Sequence, residues 1–337
     1  MSARNVLVTG GYGLLGTWLT RALLERGDRV VVIRRDRVRS APLVLEGLED
    51  SCIVVDGDIL DSALMERAIG DYEIDTVFHL AAQTIVGTAI RSPVPTFEVN
   101  VRGTWTVLEA CRRLEVPRTV VASSDKAYGA QPVLPYTEDM PLLAQHPYDA
   151  SKAAADILSR SYFATYGLRV AVTRFANLYG GGDLNESRLI PGAIHAALAG
   201  RSPIVRSDGS PERDYLYIED AVRAYLAIAD ALDGDGAAGE AFNAGTGIPR
   251  RVDEVVGAVC DVVGTGVRPE IRGTGTPHGE IDRQSLDASK LRDLTGWTPA
   301  VELAEGLERG LAQDDVGALL KLREQPAGVE VRLPKAG

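Results

Sequence analysis

Tyr148 and Lys152 stand four residues apart in the run Tyr148-Asp149-Ala150-Ser151-Lys152. On a helix that spacing puts both on one face. An ammonium beside a phenol lowers its pKa, and a tyrosinate can take a proton from a hydroxyl as hydride leaves the same carbon. Tyr-x-x-x-Lys occurs by chance in many helices, so the pair gains meaning from its surroundings. Ser123-Ser124 ends a strand-like run just upstream, and Asp125 and Lys126 follow it. Hydride needs a carrier. Gly10-Gly11-Tyr12-Gly13-Leu14-Leu15-Gly16 follows the first strand-like run and opens a helical one. Glycines at 10, 13 and 16 permit a tight turn, close approach to a pyrophosphate and packing of helix on sheet, while the helix N-terminus offers unpaired N–H groups. Three glycines alone also suit an ordinary turn; the strand before and the helix after favour dinucleotide binding.

The end of the second strand discriminates the two nicotinamide dinucleotides, an acid there bonding the ribose 2′-hydroxyl and an arginine accommodating a 2′-phosphate. Arg34 and Arg35 favour NADP, whereas Asp36 suits NAD and surface charge is the plain alternative. Asp58 and Ile59, in Asp56-Gly57-Asp58-Ile59, fall where an adenine edge can be bonded. Leu80, Ala81, Ala82 and Gln83 close a further strand, small side chains leaving room for a flat ring or ribose, although such alanines also serve plain packing.

These residues need elements to position them. Strand-like runs at Asn5–Thr9, Arg29–Ile33, Cys52–Val55, Thr76–Leu80, Thr119–Ser123 and Leu168–Arg174 alternate with helical stretches at Leu14–Glu25, Thr96–Leu114 and Ser151–Tyr166. Such alternation predicts parallel strands joined by right-handed crossovers, an α/β doubly wound sheet of the Rossmann type. From about Leu178 the rhythm loosens. Helices are expected at Ile190–Ala199, Asp220–Leu232 and Val252–Val263, with Gly234–Gly239 as a flexible connector and a patternless tail after Gln325.

Of 337 residues, 36 are Lys or Arg against 47 Asp or Glu, a formal charge of −11 that speaks against nucleic acid or an anionic membrane as partner. No apolar run approaches the roughly 18 residues of a membrane span. With no signal peptide ahead of Asn5 and only three scattered cysteines (Cys52, Cys111, Cys260), a cytoplasmic location is expected. The histidines, His79, His146, His195 and His278, show no metal-ligand spacing, so no metal site is expected.

With these motifs together, the chain resembles the extended short-chain dehydrogenase/reductase family, the nucleotide-sugar epimerases and dehydratases. The likeness runs from Asn5 to about Gly310. Its landmarks are Gly10/Gly13/Gly16, His79-Leu80-Ala81-Ala82, Asn100, Ser123-Ser124, Tyr148/Lys152, Arg174-Phe175-Ala176-Asn177-Leu178-Tyr179-Gly180, the Arg213–Asp220 run and Asn243–Gly247. The resemblance implies a dinucleotide-binding domain of residues 1–176 plus about 214–248 and a smaller, mixed α/β nucleotide-sugar domain of 177–213 plus about 249–325, with 326–337 a flexible tail. Ser123 and Asn100 are then cofactor contacts, as are Tyr148 and Lys152. Gln83, Ser124, Asp125, Asn177, Arg188, Leu189 and Arg213 are implicated toward a nucleotide-diphosphate sugar. Dimerisation through Thr96–Leu114 and Ser151–Tyr166 is also implied.

Within the family, Ser124-Asp125-Lys126 looks most like CDP-glucose 4,6-dehydratases. The chemistry this implies has Tyr148 oxidise C4 with Lys152 tuning it and Ser124, or Ser123, bonding the sugar oxygen. Asp125 donates to the departing C6 hydroxyl, and hydride returns to C6, regenerating a tightly held cofactor. The C5 base is open: Lys126 stands where a glutamate is more familiar, and it acts as a base only if neutral. The alternatives are an NDP-sugar 4-epimerase using the same Tyr148 and Lys152, and a non-catalytic protein retaining the dinucleotide as a sensor or scaffold.

Overall fold

A computed structural model describes residues 3–275 and 281–313; His278 and the tail after Gln325 lie outside them. Seven parallel strands form one sheet: β1 (Asn5–Thr9), β2 (Arg29–Arg34), β3 (Ile53–Asp56), β4 (Thr76–His79), β5 (Arg118–Ala122), β6 (Val170–Phe175) and β7 (Ala241–Ala244), in the order β7-β6-β5-β4-β1-β2-β3. Val8 lies opposite Val32 on one side and Phe78 on the other. Alternate residues feed separate cores. Val6, Val8, Val30 and Val32 pack on one face, while Leu7, Val31, Ile33 and Val121 pack on the opposite face. Both faces are covered, which is why the strands read as continuous apolar runs rather than as alternation. The order reverses between β1 and β4, and in such sheets the crevice beyond the strands' carboxyl ends opens there.

The helices over the sheet include α1 (Leu14–Glu25), α2 (Ser62–Asp71), α3 (Gly103–Arg113), α4 (Pro147–Tyr166) and α6 (Ile218–Ala231). Helix α4 begins at Pro147, four residues before the expected start, because proline's fixed φ suits a first helical position; Tyr148 therefore lies inside the helix. The expected helix Thr96–Leu114 lies within one helical run from Pro93 to Arg113, whose winding changes partway. A short helix Pro93–Phe97 meets a π turn at Glu98–Arg102, and α3 follows. The segment Gly234–Gly239 is tied down rather than loose, since Ala237 is buried and the Gly239 N–H donates to the Val170 carbonyl at 2.7 Å.

After β6 the chain leaves the sheet. Asn177–Tyr179 pairs in parallel with Tyr215–Tyr217, Glu212–Arg213 pairs antiparallel with Arg250–Arg251, and α5 (Leu189–Leu198) packs on α7 (Val252–Val263). One buried ion pair locks α4 onto β6. Arg174 Nε and Nη2 donate to the two carboxylate oxygens of Asp156 at 2.7 and 3.0 Å, both side chains sealed from solvent. The same guanidinium donates through Nη1 to the Tyr128 hydroxyl at 2.9 Å and the Glu138 carbonyl at 3.1 Å.

Removing one partner of such a pair strands a dry charge. Asp156→Ala is expected to destabilise the fold by about 3–5 kcal/mol, read as a lowered urea midpoint at unchanged m-value. A midpoint equal to that of the wild type would contradict this account.

Candidate active site

A cavity of about 1030 Å³ opens at the carboxyl ends of the strands. Its floor is the turn between β1 and α1. A Cβ on Gly16 would stand 2.1 Å from the Gly10 carbonyl oxygen and one on Gly10 2.7 Å from the Ala81 amide nitrogen, whereas on Gly13 it would meet nothing nearer than 3.5 Å. Two glycines therefore let backbones touch, whereas a Cβ at the third would make only an ordinary van der Waals contact. No side chain caps the N-terminus of α1 and no acid lies in its first turn, so its N–H groups face the cavity wall formed by Gly13, Leu14, Leu15 and Gly16. That combination fits an anion such as a pyrophosphate.

Tyr12, inside the glycine turn, donates its hydroxyl to Glu49 Oε1 at 2.6 Å. Arg34 Nη1 donates to the same oxygen at 2.8 Å, and its Nε and Nη2 hold both oxygens of Asp56. Arg34 is thus a brace for the turn and does not line the cavity, whereas Arg35, Asp36, Asp58 and Ile59 do. This removes half of the argument for a 2′-phosphate.

The end of β4 is held by a polar chain. Thr104 donates to the Asn100 carbonyl at 2.7 Å, so it accepts from His79 Nε2 at 3.0 Å; His79 Nδ1 then accepts from the Thr9 hydroxyl at 2.8 Å. Burial pushes His79 down to about 3, so the ring is a neutral connector. Thr9 Oγ1 accepts from the Leu80 and Ala81 amides at 3.2 Å, which sets those residues in the wall beside Ala82. Asn100 and Gln83 are not in the wall. The Asn100 side chain bonds the Gln83 backbone in both directions and Ser151 Oγ at 2.9 Å, a positioning contact made from the π turn.

Ser123, Ser124, Asp125, Lys126, Tyr148 and Lys152 share the wall. The Ser124 hydroxyl donates to Asp125 Oδ1 at 3.0 Å and accepts from the Lys126 amide at 3.2 Å. Asp125 is buried, its Oδ2 has no partner, and desolvation raises its pKa against the lowering pull of Lys126. Lys152 Nζ donates to the Ala122 carbonyl at 2.8 Å, and desolvation brings it down to about 8. Tyr148 is pushed up to about 12 by burial, with Ser124 pulling it down. The expected drop toward neutrality is therefore absent from the protein alone, because burial outweighs its neighbours and the ammonium is turned to a backbone carbonyl.

The loops after β6 supply the remaining wall, including Asn177, Arg188, Leu189 and Arg213. Arg188 is braced by Asp183 at 2.9 Å, and Arg213 Nη1 donates to the Glu212 and Asp282 carbonyls at 2.9 and 3.0 Å. Sequence reading missed Arg201 and Arg206 in this wall, since no motif marks them, and also Asp149. The Tyr148-Asp149 adjacency was visible, but its burial was not.

No helix among the described residues is long and apolar enough to cross a membrane, and no cluster of His, Cys, Asp and Glu among them could hold a metal. Residues 6–245 match the model of the NAD dependent epimerase/dehydratase family. A dTDP-glucose 4,6-dehydratase of Xanthomonas campestris pv. campestris (strain B100) is 36% identical over 327 residues, covering 89% of this chain and 90% of that protein. A UDP-glucose 4-epimerase of Mycolicibacterium smegmatis is 33% identical over 314 residues, covering 90% and 96%. The structure of a dTDP-glucose 4,6-dehydratase from Streptomyces venezuelae with NAD bound superposes with a TM-score of 0.81 at 31% identity, covering 92% of this chain and 96% of that one.

The cradle geometry makes a specific prediction. Gly13 has an ordinary φ of −85° and its Cβ would meet nothing closer than van der Waals contact, so Gly13→Val should fold with a thermal midpoint close to that of the wild type yet lose NAD, as read by fluorescence titration. Wild-type NAD affinity in that variant would rule out this turn as the pyrophosphate site.

Proposed function

The chain belongs to the NAD-dependent epimerase/dehydratase branch of the extended short-chain dehydrogenase/reductase family, and from that premise we propose that it is an NDP-hexose 4,6-dehydratase. The observation that supports dehydration over epimerisation is Asp125. It is a cavity-lining carboxyl with a dry, unpartnered oxygen and a raised pKa. Burial of that kind keeps a carboxylic acid protonated and able to donate. Loss of a C6 hydroxyl needs such a donor; inversion at C4 does not.

NAD, held by the glycine turn and by the wall residues Asp36, Asp58, Ile59 and Ala81, supplies a place for hydride to go and to return from. The family is NAD-dependent, and the leaning toward NADP drawn from Arg34 and Arg35 has no support, Arg34 being engaged by Glu49 and Asp56. The chain's own residues do the rest. Tyr148 takes the proton of the C4 hydroxyl once a cationic ring and the Lys152 ammonium offset its burial. Ser124 bonds the sugar oxygen, and Asp125 protonates the leaving hydroxyl. Asn177, Arg188 and Arg213 face the diphosphate, for which arginine's planar fork is suited. A cytidine nucleotide is favoured by resemblance alone, that of Asp125-Lys126 with the Gly16–Leu19 and Gly180–Asp183 runs to CDP-glucose 4,6-dehydratases, with thymidine and uridine diphosphate sugars as rivals. The second reading, a 4-epimerase, draws on the relative of that activity and uses the same Tyr148 and Lys152.

Incubation with CDP-, dTDP-, UDP- and GDP-hexoses, followed by mass spectrometry, should show loss of one water from one of them. Tyr148→Phe should abolish that conversion, and Asp125→Asn should slow water loss by about 100-fold while sparing C4 oxidation. An isomer of unchanged mass would establish the epimerase instead.

We also propose a homodimer in the cytoplasm. Phe97 and Trp105 within Thr96–Leu114 and Ile157 within Ser151–Tyr166 are exposed apolar side chains on the stretches expected to pair, and Ile90 and Val94 are exposed just ahead of the first of them. Sedimentation should give twice the 36.0 kDa chain mass, and Val94→Asp with Ile157→Asp should shift it to the monomer; a wild-type monomer would refute the pairing.

A further inference from the structure

Water loss across C5–C6 needs a group to take the C5 proton, and Lys126 stands where a carboxylate would serve most simply. Another carboxylate occupies the same cavity. Asp149 follows Tyr148 in the first turn of α4, lines the wall and is 5% exposed, and its Oδ1 has no hydrogen-bond partner. A buried carboxylate oxygen left unpaired costs stability. Its place at a helix N-terminus favours the anion, as do Lys126 and His146, while Asp125 opposes it.

We propose that Asp149 is the base that accepts the C5 proton, an assignment that rests on the dehydratase reading above. With C4 a ketone, the C5–H bond breaks, its proton passes to an Asp149 oxygen, and its electron pair forms the enolate. The carbonyl re-forms as the C6–O bond breaks. Asp125 gives its proton to the departing hydroxyl, so water leaves a C5=C6 double bond. C6 then takes the hydride that left C4, and Asp149, after exchanging its proton with solvent, protonates C5. The proton that Tyr148 gained from the C4 hydroxyl replaces the one Asp125 gave, with Ser124 bonded to Asp125 and acting on the phenol.

The two acids suit opposite roles. Burial raises both, but Lys126 and His146 hold Asp149 to about 6, so it is ionised at neutral pH. Its folded pKa lies above its unfolded one. The protonated form therefore favours folding, and the stability present below about pH 4 is lost as pH rises through about 6. Removing the charge should therefore raise the thermal midpoint at pH 8, the opposite of what loss of a structural ion pair does.

The test uses the full chain, NAD and the panel sugar that loses water, carrying deuterium at C5. Wild type should release the label to solvent. Asp149→Asn should show the near-ultraviolet absorbance of reduced nicotinamide at about the wild-type rate, yet release C5 label about 100-fold more slowly. Its midpoint at pH 8 should be equal or higher, and Asp149→Ser, lacking the amide, should behave alike. Asp125→Asn should release label but not water. Wild-type label release by Asp149→Asn, or a larger loss in Lys126→Met, would overturn the assignment while leaving the dehydratase standing. A wild type that keeps its C5 label and yields an isomer would overturn both.

Discussion

The guanidinium of Arg174 reaches three parts of the chain from a position with no access to water. Two of its nitrogens hold Asp156 on α4, and the third holds Tyr128 and the carbonyl of Glu138. The Tyr128 hydroxyl passes on to Asn243 of β7 at 2.8 Å, and the Asn243 side-chain amide donates to the Tyr136 carbonyl at 2.9 Å. Tyr148 and Lys152 ride on α4, while Ser124, Asp125 and Lys126 lie in the turn that ends at Tyr128. One charge thus references both halves of the site to β6. In a dry interior such a charge tolerates almost no displacement, since every lost donor contact is uncompensated.

Dryness is the second theme. Burial is the largest cause of the shifts at Asp125, Asp149, Tyr148, Lys152 and His79 alike, up for acids and down for bases. Left to burial alone, each group would hold its neutral form, and the site would be inert. Differences arise from what each group faces. Lys126 and His146 restrain Asp149, Ser124 restrains Tyr148, and a carbonyl receives Lys152. An acidic protein can still receive a polyanion here, because Arg188, Arg201, Arg206 and Arg213 are gathered in one wall. Net charge describes the surface, not the cleft.

Much of this was legible in residue order. The glycine turn, the strand ends at Ala81 and Ser123 and the Tyr148/Lys152 spacing are local, and local chemistry survives in sequence. Less was legible where partners are distant. Arg34 reads as a phosphate ligand until Glu49 and Asp56 are seen to engage it. Asn100 reads as a cofactor contact until the π turn carries its side chain inward to Gln83 and Ser151. The helix expected across Thr96–Leu114 forms, but it carries a π turn at Glu98–Arg102 that takes one extra backbone residue, and apolar periodicity does not register one inserted position.

The sequence by itself determined the class of fold, the glycine turn between the first strand and its helix and the placing of Tyr148 and Lys152 on one helix face, because each depends on backbone freedom or on spacing within one element. Tertiary structure alone decided which arginines brace and which line the cavity, that Lys152 is held by Ala122, and that Asp149 lies buried beside Lys126. Those outcomes depend on desolvation and on partners such as Glu49, 15 residues from Arg34, and Asp282, 69 residues from Arg213, and neither quantity exists until the chain has folded.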